Sequence, residues 1–245
     1  MEAYFRAASL EPFVPYSKQH VIVLLLIGLG IYFLYQYQDL LRQEQWNIMV
    51  RYTIAFLFIG SEIGLDIWQV KAGLFKLSTS LPFELCTVSL FLASIMIITK
   101  SYKLYEIVFF TGILGASQAI LTPNLQYAFP HFRFIEYFIA HALLVLSPLF
   151  MTWVEGYRPT FQSIKRTMLF LNALLPIILF VNGKTGGNYM FLAHKPETAS
   201  LLDMLGPYPY YIISLEIVAF IACLLLYIPF NRNRRSMNKK ILRNI

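Results

Sequence analysis

The sequence predicts an all-α, polytopic transmembrane helical bundle with seven spans. Of its 245 residues, 58% are hydrophobic and 13% are charged, and the mean hydropathy is +0.59. Soluble proteins carry about 25% charged residues, and a soluble fold of this length could not bury so many apolar side chains. Seven apolar stretches follow one another along the chain, each long enough to cross a bilayer. Lipid offers the backbone no hydrogen-bond partner, so each stretch is expected to be helical.

Short polar segments, many containing proline or glycine, separate the seven stretches. The predicted spans are 20–37, 47–70, 82–99, 103–121, 132–153, 165–182 and 209–230. Aromatic and basic residues flank several of them, as expected at membrane interfaces. The first stretch is expected to be a retained span, because no small-residue cleavage site of a signal peptide follows it. The predicted organisation is one seven-helix transmembrane domain over 1–230 and a basic tail over 231–245.

Basic residues set the predicted orientation. The tail contains Arg232, Arg234, Arg235, Lys239, Lys240 and Arg243. Segments rich in Lys and Arg stay in the cytoplasm, so seven spans place the C-terminus in the cytoplasm and the N-terminus outside, in a multi-pass protein of the plasma membrane. The net charge of +7 comes from span ends and the tail. It therefore indicates membrane lipids as partners and no nucleic acid, and the oligomeric state stays open.

Polar residues inside spans are costly and mark candidate sites. In the predicted topology they come from five or six helices and lie at one level beneath the outer surface. The opposite half holds far fewer, namely Glu106 near a span end and basic side chains that can snorkel. The pattern predicts a polar cavity that opens toward the outer leaflet. Its members are Glu62, Asp66, Glu84, Cys86, Gln118, Asn124, His131, Arg133, Tyr137, His141, Asn188, Tyr189, Asp203 and Glu216.

Several members of this set allow two interpretations. Glu62 and Asp66 lie on one helix face, four residues apart. They would bind a cation or protons, or form a structural network with Arg133 or an outer-loop lysine. His141 is expected to be neutral, either as a catalytic or ligand-binding residue or as the partner in an interhelical hydrogen bond. His131 is expected at the surface or on a lid. No two histidines have the i, i+4 spacing of zinc ligands, so neither a metal nor another cofactor is indicated.

A set of motifs between residues 20 and 230 resembles, in order, the YwaF-like bacterial membrane proteins. The motifs are LPFELC at 81–86, QAILTP at 118–123, FPHFRF at 129–134, FIAH at 138–141, NYM at 188–190, HKP at 194–196 and LLDMLGPYPY at 201–210. More distant eukaryotic relatives of that family are similar to a transmembrane acyltransferase of phospholipid remodelling with a cysteine at the matching position. The resemblance implies Cys86 as the acyl acceptor and His141 as the base that activates it.

Two functions from different classes follow. The first is a phospholipid acyltransferase or transacylase. Cys86 lies about one turn inside its span and His141 about 6 Å deeper, so helix tilt or a kink would have to bring them together. An outward-facing pocket favours a phospholipid over acyl-CoA as the acyl donor. The second is a non-enzymatic protein that binds or transports a small solute or ion through the intramembrane carboxylates and His141, with Cys86 as a small hydrophobic residue.

Overall fold

Seven long helices account for the predicted spans. The computed structural model describes residues 2–7, 12–195 and 201–243, and side chains within 4–7, 12–195 and 202–231. No strand occurs among these residues, so the all-α prediction is confirmed. The long helices are α1 (Lys18–Gln36), α2 (Glu44–Lys71), α3 (Leu85–Thr99), α4 (Tyr102–Leu121), α5 (Phe132–Trp153), α6 (Phe161–Thr185) and α7 (Tyr210–Arg243). The basic side chains of the predicted tail lie outside the described residues.

Six of the described helices are long and apolar enough to cross a membrane, and α3 is a shorter apolar helix. At 1.5 Å per residue, its 15 residues extend over about 22 Å. The predicted span 82–99 is therefore helical only from Leu85. Glu84 precedes the helix in an extended conformation. This irregular start places Cys86 in the first turn of α3.

The chain forms two compact units, Met1–Tyr157 and Arg158–Ile245. In the first unit, α5 packs against α1, α2, α3 and α4. The core around it is apolar and closely packed, with at most 1% exposure at Phe58, Met96, Phe109, Leu144 and Phe150. Because α5 touches four neighbours, its polar residues can meet side chains from several helices.

A π-helical segment, Thr111–Gly115, interrupts α4 where it meets both α3 and α5. The Ser89 hydroxyl on α3 donates a hydrogen bond to Thr111 Oγ1 at 3.0 Å. A Cβ added to Gly112 would lie 2.7 Å from the Leu144 carbonyl oxygen, so the backbones of α4 and α5 approach closely here. Segments of this kind are frequent at functional sites. Ser89 lies one turn from Cys86, and Leu144 one turn from His141, so these contacts set the separation of the two residues.

The second unit contains α6, α7 and the 3₁₀ turns Tyr189–Phe191 and Leu201–Leu205. The Asn182 side chain on α6 accepts from the Tyr189 N–H at 2.8 Å and donates to the Tyr189 carbonyl at 3.1 Å. The Tyr211 hydroxyl on α7 donates to the Phe191 carbonyl. These bonds hold the Tyr189–Phe191 turn against both helices of the unit.

Candidate functional site

A largely buried ion pair within α5 is hydrogen-bonded to α2 at the end of the first unit where Cys86 lies. Arg133 pairs with Glu136 one turn later, and their side chains are only 20% and 7% exposed. Glu136 also accepts a hydrogen bond from the Ser61 hydroxyl on α2 at 2.9 Å. Ser61 was not among the predicted polar residues, and Glu136 was predicted at this level without a role in the site. Their contact depends on the rotation of α2 about its axis, which the sequence alone does not fix.

Glu62 and Asp66 lie beside this pair on α2. The two carboxylates interact electrostatically, and Glu62 also interacts with Glu136 and Arg133. Within the described part of the chain, neither carboxylate makes a direct hydrogen bond or ion pair. Glu62 is half-buried and Asp66 is exposed. The predicted network with Arg133 therefore exists only at longer range, because Arg133 is paired with Glu136.

Tyr137 and His141 continue the polar face of α5 beyond Arg133. Nδ1 of His141 donates to the Tyr137 carbonyl at 2.7 Å, and the two rings are in tilted contact at a centroid distance of 4.2 Å. The Tyr137 hydroxyl donates to the Ala119 carbonyl at the end of α4, at 3.0 Å, and lies beside the backbone of Asn124. Tyr137 thus fixes the ring orientation and the tautomer of His141.

Cys86 lies on the inward face of α3, on the side of the buried residues Ser89 and Ala93. Its thiol is free and half-buried, and it is close enough to the Tyr137 phenol for an electrostatic interaction. No hydrogen bond joins Cys86 to His141 in the part of the chain that the structure describes. Glu84 precedes α3 with an exposed side chain, within electrostatic range of the Cys86 thiol. Cys86 and His141 therefore share Tyr137 as a neighbour.

The three histidines of the first unit differ in what their ring nitrogens contact. Nδ1 of His20 accepts from the Tyr16 N–H at 2.9 Å, and its Nε2 donates to the Ile120 carbonyl at 2.8 Å. His131 likewise uses both nitrogens, on the Arg133 N–H at 3.1 Å and the Arg6 carbonyl at 3.0 Å. Nε2 of His141 has no hydrogen-bond partner among the described residues. It is therefore the one ring nitrogen of the three that is free to accept a proton from a substrate or nucleophile.

His131 does not lie at the surface or on a lid, as the sequence had suggested. It is buried, and it caps the N-terminus of α5. Burial lowers the pKa of its ring. Gln118 and Asn124 have exposed side chains at the end of α4 and in the loop that follows. Their backbones contribute to local structure, since the Gln118 carbonyl accepts from the Thr122 hydroxyl at 3.0 Å.

Comparison with known proteins identifies the family. The sequence profile of the TMEM164 family matches residues 15–227. The chain belongs to this family. It is also 24% identical over 191 residues to an uncharacterized protein of Treponema pallidum (strain Nichols), and the match covers 78% of each chain. No solved structure matches. Together with the apolar helices, the family match establishes a multi-pass membrane protein.

The second unit of this TMEM164-family chain contains the remaining predicted site residues. Asn188 holds the loop after α6: its Oδ1 accepts from the Ala193 N–H at 3.0 Å, and its Nδ2 donates to the His194 carbonyl at 2.8 Å. Tyr189 is buried against Asn182, and Asp203 has an exposed side chain. Glu216 on α7 accepts from Asn172 Nδ2 on α6 at 2.5 Å. Asn172 is thus an interhelical partner that the sequence reasoning missed.

The opposite end of the first unit holds polar residues beyond the Glu106 and basic side chains that were expected there. There, Asn47 and Lys100 both contact the Glu155 carboxylate, at 2.7 and 2.9 Å. Arg51 donates to the carbonyls of Ile97, at 2.6 Å, and of Ile98 at the end of α3. Glu106 is buried at 1% exposure. We call the group formed by Arg42, Asn47, Arg51, Lys100 and Glu155 the far-end cluster.

An apolar groove of about 450 Å³ runs between α2 and α5. It is lined by Tyr4, Phe5, Phe56, Leu57, Gly60, Ser61, Pro130, Phe132, Ile135, Glu136 and Ile139. The hydrogen-bonded Ser61 and Glu136 are its polar members, so the groove can hold an apolar chain next to a polar group. The described residues contain no group of three or more His, Cys, Asp or Glu side chains that could hold a metal ion.

Proposed function

We propose that the protein transfers acyl chains between phospholipids, with Cys86 as the acyl acceptor and His141 as the general base. The observation that carries this proposal is the unpartnered Nε2 of His141, whose ring contacts Tyr137, the residue that neighbours the Cys86 thiol. His20 and His131 have no nitrogen left for such a role. A base near a thiol is what nucleophilic catalysis by cysteine requires.

The proposed reaction has two steps. In the first, His141 Nε2 takes the Cys86 proton and the sulfur attacks the ester carbonyl of a donor phospholipid. The carbon–oxygen bond breaks, the lysophospholipid leaves with the proton from His141, and a thioester remains on Cys86. In the second, the hydroxyl of an acceptor lysophospholipid gives its proton to His141 and attacks the thioester. The new ester leaves, and the thiolate of Cys86 regains its proton from His141.

The first turn of α3 supplies a means of stabilising the negative oxygen that forms in each step. Glu84 makes no side-chain capping bond to this helix. The backbone N–H groups of residues 85–87 have no hydrogen-bond partner among the described residues. Such donors at a helix N-terminus stabilise a tetrahedral oxyanion. The thiol lies in the same turn, so a carbonyl that the sulfur attacks is close to these groups.

Direct proton transfer requires a hydrogen bond between Cys86 and His141, which the described part of the chain does not contain. Catalytic hydrogen bonds are often long in unliganded enzymes and tighten when the substrate binds. A movement of α3 relative to α5 would achieve this, and the π-helical segment Thr111–Gly115 touches both helices. The apolar groove beside Ser61 and Glu136 supports a lipid as the ligand.

The two cysteines allow a matched test of the acyl intermediate. We expect the purified protein, incubated with a phospholipid that carries an alkyne-tagged acyl chain, to acquire a label that hydroxylamine removes. Cys86→Ala should abolish the label, whereas Cys223→Ala, at a buried cysteine on α7, should retain it. His141→Gln should slow labelling by about 10²–10⁴-fold. Unchanged labelling and unchanged lipid acyl profiles in Cys86→Ala would refute the proposal.

Glu62 and Asp66 favour a second candidate function, the binding or transport of a cation or small polar solute. Their carboxylates are close together and have no direct partner among the described residues. Such groups inside a membrane protein mark ion or proton pathways. In liposomes that contain the protein, Asp66→Asn should abolish uptake of the cation or solute, whereas Cys86→Ala should leave this uptake intact. The opposite pattern, with lipid transfer lost only in Cys86→Ala, favours the enzyme.

The proposed orientation places this site beneath the outer surface of the plasma membrane, with the tail over 231–245 in the cytoplasm. It rests on the basic residues of the tail. A reporter enzyme active only in the cytoplasm, fused after residue 245, should be active. The same reporter fused before residue 1 should be inactive. The reverse result would place the site at the cytoplasmic side.

A further inference from the structure

The far-end cluster surrounds a cavity of about 410 Å³ at the end of the first unit opposite to Cys86. The cavity is lined by Arg42, Glu44, Asn47, Ile48, Arg51, Lys100, Val154 and Glu155. It lies where α3 and α5 end and α2 begins. Helix ends in a membrane protein lie at the level of the lipid headgroups. A ligand in this cavity would therefore meet the polar boundary of the bilayer and not its hydrocarbon interior.

Two arginines form rigid positive walls of the cavity. Arg51 is buried and donates to the last carbonyls of α3, and Arg42 donates to the carbonyls of Trp153, at 2.8 Å, and Val154, at 3.3 Å. These bonds neutralise the partial negative charge of two helix C-termini. They also hold both guanidinium groups in place, and Arg42 pairs in addition with the Asp39 carboxylate. Neither guanidinium group has to move when an anion enters the cavity.

Lys100 is the cation with capacity left for a ligand. Its ammonium contacts Glu155 at 2.9 Å, its side chain is 39% exposed, and it has three N–H donors. Its backbone has φ 51°, the left-handed conformation in which helices usually end with glycine. A side chain at this position strains the backbone, which glycine would avoid. The position therefore carries a lysine at some cost to the helix end.

The beginning of α2 adds hydrogen-bond donors to the same cavity. Gln43 makes no side-chain capping bond, so the first N–H groups of the helix are available. The lining side chains comprise three cations, Arg42, Arg51 and Lys100, against two carboxylates, Glu44 and Glu155. Lysine, arginine and helix N-terminal N–H groups together are what binds phosphate oxygens. The volume exceeds that needed by a simple ion and leaves room for a headgroup.

We propose that this cavity binds a phosphate group, carried by a phospholipid headgroup or as free phosphate. The proposal does not depend on Cys86 or on acyl transfer. It is tested with the full chain in a detergent without phosphate, by calorimetric titration with dioctanoyl phosphatidylglycerol, with dioctanoylglycerol and with inorganic phosphate. We expect the phosphate-bearing lipid to bind and dioctanoylglycerol not to compete with it.

The decisive variant is Lys100→Gly, which removes the ammonium and places a residue suited to φ 51° at the end of α3. We expect it to weaken phosphate binding at least 10-fold without lowering the thermal midpoint of unfolding. The matched control is Lys103→Gln, at an exposed lysine of the next helix that does not line the cavity, and it should change the affinity less than twofold. Cys86→Ala should leave the affinity unchanged.

The ligands distinguish the source of the phosphate. Tighter binding of the lipid than of inorganic phosphate, with loss in Lys100→Gly, identifies a headgroup site. Equal binding of both, with the same loss, identifies a site for free phosphate. Absence of binding by either ligand, or an affinity that is equal in the wild type and in Lys100→Gly, overturns the proposal.

Discussion

The close approach of α4 and α5 at Gly112 gives a quantitative test of how the candidate site is held together. In Gly112→Ala, the new Cβ would lie 2.7 Å from the Leu144 carbonyl oxygen. Non-bonded heavy atoms pack at about 3.5 Å, so the helices must separate by several tenths of an ångström. Overpacking of this kind costs about 1–3 kcal/mol. In a chain of this size, each kcal/mol lowers the melting temperature by about 2–4 °C.

Gly115→Ala is the matched control for this prediction, because it makes the same chemical change in the same π-helical segment. A Cβ added there meets no atom within 4 Å. Alanine also favours a helix over glycine by up to about 1 kcal/mol, so the melting temperature should stay constant or rise. Both variants are measured by thermal unfolding of the purified protein in one detergent. Wild-type stability in Gly112→Ala, or equal losses in the two variants, would refute the inferred contact.

The same separation has a functional consequence. Leu144 follows His141 by one helical turn, so a displacement of α5 at Leu144 also shifts the His141 ring. We therefore expect Gly112→Ala to slow the Cys86-dependent labelling, while Gly115→Ala leaves the labelling rate within about twofold of wild type. A displacement of catalytic groups by about 1 Å commonly lowers the reaction rate about 10²-fold.

Three further predictions concern polar contacts. Glu136→Gln leaves Arg133 without its charged partner in a largely buried setting and should cost about 3 kcal/mol; a thermal midpoint like that of wild type would show that the ion pair is not formed. Burial lowers the pKa of His131 in the folded protein. Below about pH 6.5 the unfolded chain therefore binds a proton at His131 more readily than the folded protein does. The thermal midpoint should therefore fall from pH 7 to pH 5, and less so in His131→Asn, which can still cap α5; equal slopes would contradict this. Asn182→Ala removes two bonds to the Tyr189 backbone and should cost about 1–3 kcal/mol, seen as faster proteolysis of that loop.

The positions of the helices could be predicted because the bilayer determines them. Apolar runs end where the hydrocarbon ends, and the predicted span 132–153 coincides with Phe132–Trp153. Helix α6 begins at Phe161 and not at 165, because the side chains of Thr160 and Ser163 form a capping box in a polar segment. Hydropathy does not detect such a cap. The start of α3 differs from the predicted span for another reason, since the apolar residues Leu81–Phe83 are not helical and the helix begins only at Leu85.

The sequence predicts the depth of each polar residue in the membrane, but not which of these residues are in contact. Depth along each span predicted that Glu62, Arg133 and His141 belong to one polar region, and both Glu62 and His141 lie within electrostatic range of Arg133. Pairing depends also on the rotation of each helix, so the bond from Ser61 to Glu136 was not foreseen. The far-end cluster was missed for another reason: the partners of Arg51 are backbone carbonyls, which have no signature in the sequence.

The contacts of each polar group separate structural from functional roles in this membrane protein. In His20, His131 and Arg51, the polar nitrogens are bonded largely to the backbone of helix ends, so substitutions there should lower stability. His141 is half-buried in the candidate site and has a ring nitrogen without a hydrogen-bond partner among the described residues. Lys100 is partly exposed at the far-end cavity, and its ammonium has N–H donors left for a ligand. Without a ligand, these unbonded donor and acceptor atoms do not stabilise the folded state. Substitution of His141 or Lys100 should therefore change labelling or binding with little change in melting temperature, whereas substitution of His20 or His131 should show the opposite pattern.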